Sequence, residues 1–413
     1  MSQNKVQKLE AFYGLPTEIK FCKTCVISNQ RPSSTIEFKN QKGEKKEVIN
    51  FNDEGICSAC VYHEEKEKGI DWDLRDNELD KLLSKFRSND GSYDVIVPGS
   101  GGKDSAFTSH ILKYKYGMNP LTVTWSPHLY TDIGWENMQE WMETGGLDNM
   151  LYTPNGRLHK EMTKNAFHNL LHPFQPFIVG QRIIGPAMAK KFGVKLVMYG
   201  ENQAEYGNAI EENINPIMNM DFFSSDNALD MKFGGVSMKE YIDSGKYTKN
   251  DFAPYIAPDK KELIQAGVEV HYLGYYLKWD PQECYYYAVE NTGFKANPIR
   301  TEGTYSKYSS IDDKIDPFHY FTTLIKFGIG RCTYDAAQEV RNGKITREEA
   351  AYLVDKYDTE FPQIFFKEFL DYIDTSEEEF WNTINKHRSP HIWKNINGQW
   401  HLRKNVNFTG VDD

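Results

Sequence analysis

The chain has 413 residues, a formal net charge of −11 at neutral pH and an apolar fraction of 39%, with 25 Tyr, 24 Phe and 8 Trp. This length predicts two or three folding units with a sizeable core, and the composition excludes a disordered chain. The acidic balance argues against a broad nucleic-acid surface, and no apolar run approaches the length of a membrane span or signal peptide, so we expect a cytoplasmic protein.

Four of the six cysteines form two pairs near the N-terminus, Cys22-x-x-Cys25 and Cys57-x-x-Cys60. Four thiolates at this spacing suit a tetrahedral, structural zinc site, and the long gap between the pairs favours a ribbon over a compact finger. The intervening residues are polar and Lys-rich, so zinc would supply folding energy that this segment lacks. Redox-active pairs are the alternative, but a thioredoxin-like context is missing. We therefore predict a zinc-ribbon-like segment over residues 1–70.

The next two hundred residues alternate between helical and strand-like patterns. A helix is predicted where Leu79, Leu82, Leu83 and Phe86 recur at helical spacing, and another over 103–116, closed by Gly117 and Pro120. Strands are predicted at 93–99, 120–125, 148–156, 195–199 and 267–276. This alternation predicts a parallel α/β sheet with ligands at the carboxyl ends of its strands. We assign residues 71–280 to this domain, with an irregular Asn/Asp-rich insertion near 208–260.

A glycine-rich loop, "GSGGKDS", follows the first predicted strand and opens a helix. It is not a Walker A loop, because that pattern requires Gly where Val97 stands and Ser or Thr where Asp104 stands. It is not a dinucleotide fingerprint either, because the third required glycine is also Asp104. Both phosphoryl transfer by a P-loop and hydride transfer by a Rossmann enzyme lose support.

The loop nevertheless has the chemistry of an anion site. Gly101 and Gly102 permit a tight turn whose amides, with the helix dipole, would cradle phosphate. Ser100 and Ser105 add hydroxyls, and Lys103 adds a cation. Asp104 would repel an anion unless it holds Mg²⁺.

These residues resemble the pyrophosphate-binding loop of the N-type ATP pyrophosphatases, the PP-loop superfamily with a HUP-like parallel sheet. The resemblance implies an enzyme that cleaves ATP between its α- and β-phosphates. It assigns Lys103, Asp104 and Ser105 to catalysis, with Asp104 as the Mg²⁺ ligand. The residues implied to bind ATP are Ser100, Gly101, Gly102, Ser105, Trp125, Ser126, Gly200, Glu201 and Asn202.

Residues 281–413 are helical and aromatic, and we predict that they form a substrate-binding region. Capping boxes are predicted at Thr346 with Glu349 and at Thr375 with Glu378. Between 297 and 350, charged residues are interleaved with Tyr, Phe and Gly, as suits an anionic, hydroxyl-rich ligand. The candidate substrate residues are Arg300, Tyr305, Asp312, Lys326 and Arg331. The remaining cysteines, Cys284 and Cys332, are expected to be small buried hydrophobes.

Several stretches together resemble the N-acetyl sugar amidotransferases, which include the WbpG-type and PseA-type enzymes. They are "CKTCVISNQRP", "GICSAC", "SGGKDS", "YGENQAEYGN", "EGTYSKYSS" and "KFGIGR" with "QEVRNGKITREEA". The resemblance implies an ATP-dependent enzyme of lipopolysaccharide O-antigen or flagellin-glycan synthesis. Its acceptor would be a UDP-linked diacetamido sugar or a nonulosonic acid, whose acetamido group becomes an acetamidino group through an O-adenylylated imidate, with release of AMP and pyrophosphate.

No glutaminase signature appears in the chain, so ammonia would arrive free or from a separate glutaminase with a cyclase-like subunit. A homo-oligomer is compatible with this interpretation. One alternative is a tRNA-thiolating ATP pyrophosphatase, although such enzymes use additional cysteines and basic surfaces. The other is a non-catalytic nucleotide-binding regulator, which would have no need of a carboxylate at Asp104.

Overall fold

The computed structural model describes residues 9–208 and 215–407. Five strands form one parallel sheet in the order β3-β2-β1-β4-β7, and two pairs of short strands form antiparallel hairpins. The sheet strands are β1 (Val95–Pro98), β2 (Pro120–Trp125), β3 (Asp148–Tyr152), β4 (Leu196–Tyr199) and β7 (Glu269–Tyr272), and the hairpins pair β5 (Lys232–Phe233) with β6 (Val236–Ser237) and β8 (Trp393–Ile396) with β9 (Gln399–Leu402). The predicted parallel α/β class is confirmed.

The order in which the chain adds strands changes sides between β1 and β4, although the two strands are parallel. From β1 the chain adds β2 and β3 on one side, then returns to place β4 and β7 on the other. Such a switch point opens a crevice at the carboxyl ends of the two central strands, where α/β proteins bind ligands. The glycine loop follows β1 and Gly200 follows β4, so both lie at this crevice.

Helices cover both faces of the sheet and build the region that follows it. Along β1, Val95 and Val97 pack in the cluster that contains Leu79 and Leu112, whereas Ile96 packs in the cluster on the opposite face, as strand alternation requires. The α-helices are α1 (Ser58–Lys68), α2 (Trp72–Phe86), α3 (Lys103–Tyr114), α4 (Asp132–Glu143), α5 (Gly156–Leu170), α6 (Gln175–Phe192), α7 (Met238–Asp243), α8 (Lys260–Ala266), α9 (Leu273–Tyr276), α10 (Pro281–Thr292), α11 (Asp316–Phe327), α12 (Arg331–Arg341), α13 (Arg347–Tyr357), α14 (Phe366–Ile373) and α15 (Glu377–Lys386). Within the described ranges, none of these helices has the length and apolar character to cross a bilayer.

The predicted insertion near 208–260 is described from residue 215 onward, and residues 209–214 lie outside the described part of the chain. It consists mainly of short 3-10 helices, one hairpin and α7. Its aromatic side chains Phe223, Phe233, Phe252 and Tyr255 are buried in the core cluster that includes α6 and one face of the sheet. The segment is irregular, as predicted, but it contributes to the core of the α/β domain.

The N-terminal segment packs against the C-terminal helices. Its four cysteines share a core cluster with Cys332, Ala336 and Ala350. Gln30 contacts His391 at 2.9 Å, and the backbone amide of Phe12 donates to Ser389 at 2.9 Å. The hydrophobic surface that covers the cysteine segment therefore comes from the other end of the chain.

A buried ion pair joins α1 to the segment that follows β4. The Lys66 ammonium lies 2.9 and 3.1 Å from the two carboxylate oxygens of Glu205 and also donates to the carbonyl of Trp279 at 2.9 Å. The two side chains are only 1% and 2% exposed. Arg341 of α12 donates to the carbonyl of Glu205 at 3.1 Å, so three parts of the chain meet at this residue.

One of the two predicted capping boxes is confirmed and the other is wrong by one residue. Thr346 and Glu349 cap α13 reciprocally. At α15 the box is formed by Ser376 and Glu379, because the helix begins one residue later than the sequence suggested. Thr375 instead lies within hydrogen-bond distance of the His168 imidazole, at 3.1 Å.

Replacing Glu205 by Gln should lower the free energy of unfolding by about 3–5 kcal/mol, because it leaves the Lys66 ammonium buried without its counter-charge. Asp243→Asn is the matched control, since it breaks an exposed pair with Lys239 and should cost less than about 1 kcal/mol. Urea unfolding of the three proteins measures both effects. Equal stability of the two variants would contradict this account of the pair.

Candidate functional site

The glycine loop is pressed against α4 at the crevice of the sheet. Gly101 has a φ of +80°, and a Cβ there would lie 2.9 Å from both the carbonyl oxygen of Asn137 and the Cα of Met138. Gly99 is equally constrained, since its Cβ would lie 2.1 Å from that of Ser105. Gly102 then precedes α3, whose first amides have no acceptor within the helix. The loop thus presents the free amides of a helix start to the crevice, an arrangement that suits an anion.

Lys103 and Asp104 form an ion pair at the beginning of α3. The Lys103 ammonium lies 2.5 Å from Oδ2 of Asp104. Burial opposes the charged form of Lys103, but the Asp104 carboxylate outweighs it and raises the pKa of the lysine. The other oxygen of Asp104, Oδ1, is buried and has no hydrogen-bond partner among the described residues. A buried carboxylate oxygen left without a donor is costly unless a ligand or cation meets it.

A second carboxylate, Glu201, follows β4 and faces the loop. Its Oε1 accepts a hydrogen bond from the Tyr206 hydroxyl at 2.8 Å. Burial, and then the nearby Asp104 carboxylate, raise the pKa of Glu201. Asn202 behaves differently from the prediction, because its buried side chain caps the next turn by accepting from the amide of Ala204 at 3.1 Å. Glu201 lines the crevice and Asn202 does not.

One end of the crevice is a cavity of about 340 Å³, which we call the nucleotide end because the sequence predicts ATP binding by the residues around it. Trp125 forms part of its wall, and Gly180 of α6 lies so close that a Cβ there would be 2.0 Å from the indole. Ser126, predicted with Trp125 to frame an adenine, is buried and donates to the carbonyl of Pro127 at 3.0 Å. Of these two residues, only Trp125 lines the cavity. Its other lining residues include Ser100, Gly102, Asp104, Ser105, Arg182, Tyr199, Gly200, Glu201, Met218 and Tyr272.

The crevice continues into a larger cavity of about 560 Å³, which we call the acceptor end because its far wall belongs to the predicted substrate-binding region. The two ends share several lining residues, among them Ser100, Asp104, Arg182 and Glu201. The far wall consists of one face of α11 and one face of α12. On each helix the lining residues recur at i, i+3, i+4 and i+7, and they are Asp316, His319, Tyr320 and Thr323 on α11, and Arg331, Tyr334, Asp335 and Gln338 on α12.

Arg331 is held rigidly on the far wall. Its guanidinium makes two contacts of 3.1 Å with the Asp335 carboxylate, donates to Ser310 at 2.9 Å and lies 4.3 Å from the centre of the Tyr320 ring. Burial raises the pKa of Asp316 to about 7, against the opposing effect of Arg331. The far wall therefore combines an arginine whose charge is paired with Asp335 and a carboxylate, Asp316, whose pKa lies near neutral.

Asp312 joins the start of α4 to the segment before α11. The amide of Thr131 donates to its carbonyl at 3.1 Å, and a Cβ on Gly134 would lie 2.4 Å from its Cα. Burial raises the pKa of Asp312, and a hydrogen bond from Ser100 partly offsets this rise. The start of α4 and the loop before α11 are consequently in direct backbone contact.

Comparison with known proteins gives a match in the region that forms the far wall. Residues 302–407 match the family model described as "LPS biosynthesis protein WbpG-like, C-terminal domain". This region is WbpG-like. The predicted resemblance is thereby confirmed for the part of the chain that contains α11 and α12, and we call it the WbpG-like domain.

Other comparisons cover the chain at lower similarity. An uncharacterized protein of Methanocaldococcus jannaschii is 33% identical over 78 residues, which are 19% of this chain and 27% of that protein. The chain thus spans about a quarter of the length of this relative. NMN synthetase from Francisella tularensis has a TM-score of 0.29 at 14% identity, covering 70% of this chain and 94% of that one. U34-tRNA thiolase NcsA from Methanococcus maripaludis, with its [4Fe-4S] cluster, has a TM-score of 0.30 at 12% identity, covering 76% and 88%.

Three of the five predicted substrate residues point away from the crevice. Arg300 makes a two-pronged ion pair with Glu360 at 2.6 Å, and the Tyr305 hydroxyl donates to Glu339 at 2.7 Å. Lys326 is buried and donates to the carbonyl of Leu170 at 2.9 Å. Each side chain is engaged by the protein itself, and none lines either end of the crevice. Asp312 and Arg331 do line it.

Several residues of the crevice were not singled out from the sequence. Three of them carry a buried polar atom with no partner among the described residues, as Asp104 and Trp125 of the same crevice also do: Arg182 Nε, His319 Nδ1 and Gln338 Nε2. Buried polar atoms are usually hydrogen-bonded, so each of these atoms is open to a water molecule or a ligand in the crevice. The helical spacing within "DPFHYFTT" and "RCTYDAAQ" could have revealed His319 and Gln338, because it places both on the faces that carry Asp316 and Arg331.

The four N-terminal cysteines form a separate buried cluster. Their ligand atoms all lie within 4.8 Å of one another, with Sγ–Sγ distances of 3.9 Å between Cys22 and Cys60 and 3.7 Å between Cys25 and Cys57. Arg347 of the WbpG-like domain donates to the carbonyls of Cys22 and Cys25, both at 3.2 Å. The predicted cluster is confirmed as a group that could hold a metal ion.

Replacing Gly101 by Ala should distort the loop, because the new Cβ would meet the backbone of α4. Gly43→Ala is the matched control: its φ is +75° but nothing lies within 4 Å of the added atom, so only the left-handed strain of about 1–2 kcal/mol applies. We expect the larger loss of stability, and a loss of ATP binding, in Gly101→Ala alone. Urea unfolding and calorimetric titration with ATP measure these effects. ATP binding that survives in Gly101→Ala would contradict the assignment of the loop.

Proposed function

We propose that the chain is an ATP-dependent amidotransferase that converts an acetamido group of a bacterial surface-glycan sugar into an acetamidino group. One observation carries this proposal: the glycine loop and the WbpG-like domain line the same crevice. The glycine loop, which is suited to ATP, therefore faces helices of the WbpG-like domain. The family model that matches this domain is described as a lipopolysaccharide biosynthesis protein. The acceptor would be a UDP-linked diacetamido sugar or a nonulosonic acid.

The nucleotide end has the groups that ATP requires. The amides of the loop and the start of α3 would hold the β- and γ-phosphates, with Lys103 supplying positive charge. Arg182 lines both ends of the crevice and has an unpartnered Nε, so it is placed to contact a phosphate. Trp125 would pack against the base at the wall near α6.

The pair of carboxylates at the nucleotide end fits Mg²⁺. Asp104 Oδ1 is buried without a donor, and Glu201 has a raised pKa because of burial and of Asp104. Two facing carboxylates next to a phosphate loop repel each other and the phosphates, and an oxygen-liganded divalent cation removes that repulsion. Bound there, Mg²⁺ would neutralise charge as the bond between the α- and β-phosphates breaks.

The acceptor end is suited to an amide on a hydroxyl-rich ring. The amide oxygen would attack the α-phosphate, pyrophosphate would leave, and the O-adenylylated imidate so formed has a leaving group that the amide lacks. Attack by ammonia at the imidate carbon and departure of AMP give the amidine. Tyr320 and Gln338 of the lining offer donors and acceptors for the ring hydroxyls.

The cysteine cluster fits a zinc ion. Zinc bonded to four thiolates at about 2.3 Å sets the sulfurs about 3.8 Å apart in a tetrahedron. The observed separations of 3.7 and 3.9 Å match that arrangement, whereas a four-iron cluster holds its cysteines further apart. A zinc ion with four protein ligands has a structural role. Here it would hold the two cysteine pairs together, next to the surface that Arg347 contacts.

The remaining cysteines disfavour tRNA thiolation. Cys284 and Cys332 are 2% and 0% exposed, and burial raises the pKa of both thiols. Sulfur transfer needs accessible thiolates. Because both thiols are buried, neither is placed to act as a glutaminase nucleophile. This supports the proposal that ammonia comes from solution or from a separate glutaminase with a cyclase-like subunit.

The function is tested by incubating the protein with ATP, Mg²⁺, ammonium and a panel of UDP-linked diacetamido sugars and nonulosonic acids. We expect one acceptor to exchange oxygen for NH by mass spectrometry, with stoichiometric AMP and pyrophosphate. Asp104→Asn should lower the rate by about 10²-fold or more, and exposed Asp243→Asn should retain it. Sulfur gained by tRNA with no change in any sugar would refute the proposal.

The purified protein should contain one zinc per chain. Cys25→Ser should lose the metal and much of its stability, since the ion contributes folding free energy, whereas Cys284→Ser should keep the metal. Elemental analysis and thermal unfolding give both results. Iron with visible charge-transfer absorption in place of zinc would contradict the assignment.

A further inference from the structure

The acceptor end of the crevice carries an excess of negative charge. Its lining has five carboxylates, Asp104, Glu201, Asp312, Asp316 and Asp335, and three cations, Lys103, Arg182 and Arg331. Lys103 is paired with Asp104 and Arg331 with Asp335, which leaves Arg182 as the unpaired cation among the described residues of this lining. The carboxylates of Asp312 and Asp316 are left to raise the local concentration of small cations.

These carboxylates do not form a metal site. Over residues 9–208 and 215–407, the four cysteines are the group of three or more ligand side chains that converge closely enough to hold an ion. The acidic side chains of the acceptor end are spread along its wall. Such an arrangement attracts a cation without chelating it, which suits a cation that binds through its own N–H donors.

A neutral acceptor lies beside Asp316. His319 is three residues further along α11, on the same lining face, and its Nδ1 is buried with no partner among the described residues. Burial, and then His172, Lys326 and Arg331, hold the pKa of this imidazole well below its usual range, so it remains uncharged. Asp316 and His319 together offer a charged oxygen and an unpartnered imidazole nitrogen.

We propose that the acceptor end captures the ammonium ion, and that Asp316 takes from it the proton that must leave before nitrogen can attack. This inference rests on the proposed amidotransferase function and deepens it, since it assigns the nucleophile to a place and a base. Ammonium is the form of ammonia that prevails in neutral solution, and it is not a nucleophile until one N–H bond has been broken.

The transfer balances without a further reactant. One N–H bond of ammonium breaks as an O–H bond forms on the Asp316 carboxylate, and the freed electron pair forms the C–N bond at the imidate carbon. A second proton leaves the new nitrogen for solvent as the C–O bond to AMP breaks, with the electrons departing on AMP. Two hydrogens remain on the new nitrogen, and the original amide nitrogen keeps its hydrogen throughout, so the product is an amidinium. Asp316 returns its proton to solvent.

The surroundings of Asp316 suit this exchange. Arg331 stabilises its charged form, whereas burial and the carboxylates of Asp312 and Asp335 disfavour it, and a hydrogen bond with Ser310 partly offsets them. The balance leaves a pKa of about 7. A general base works best when its pKa lies near the working pH.

The test compares two nucleophiles in one variant. Hydroxylamine is a much weaker base than ammonia, so it is largely uncharged at neutral pH and needs no such proton removal. Asp316→Asn should lower kcat/KM for ammonium by about 10²-fold or more while changing kcat/KM for hydroxylamine by less than about threefold. Asp371→Asn, which removes an exposed carboxylate on α14, should change neither. Pyrophosphate release and product mass are the readouts.

Equal loss with both nucleophiles, or loss with neither, would overturn the inference. If the wild-type protein forms no amidine product from any acetamido sugar with either nucleophile, the proposed function itself fails, which is a distinguishable result.

Discussion

The ion pair between Lys66 and Glu205 is the contact on which the crevice depends. Glu205 lies in the short turn (Gln203–Tyr206) that directly follows Glu201, and its carboxylate and carbonyl are held by α1 and α12 respectively. Removing two charges from water is expensive, and the pair offsets that cost only because its geometry satisfies both partners. The position of Glu201 and Tyr206 opposite the glycine loop is therefore determined by parts of the chain that lie outside the sheet.

The crevice is the product of three segments rather than of one domain. The sheet supplies the glycine loop and Glu201, the WbpG-like domain supplies the far wall, and the N-terminal segment fastens the two through its cysteine cluster and Lys66. The close approach of Gly134 to Asp312 holds the start of α4 against the segment before α11. In the proposed reaction, two substrates held in one rigid crevice would meet with less loss of freedom than two molecules on a hinged surface.

The sequence predicted those features that depend on short-range patterns. The strand and helix around the loop, the tight turn at Gly101 and Gly102 and the grouping of the cysteines all follow from local spacing. The substrate residues were harder, because composition alone does not say which partner a charge finds. Arg300 and Lys326 resembled ligand contacts in sequence, yet Glu360 and the carbonyl of Leu170 occupy them. The faces of α11 and α12 were readable at helical spacing, but that they oppose the loop is a tertiary fact.

The contact between the two ends of the chain has a consequence for its synthesis. Phe12 meets Ser389 and Gln30 meets His391, partners separated by 377 and 361 residues. The N-terminal segment is synthesised long before these partners. Its apolar surface therefore stays exposed until the C-terminal residues have been made. Cys22 and Cys60 are only 38 residues apart. A metal ion bound by the four cysteines would therefore order the N-terminal segment before its C-terminal partners are made. The metal would then act as a temporary substitute for the last part of the chain.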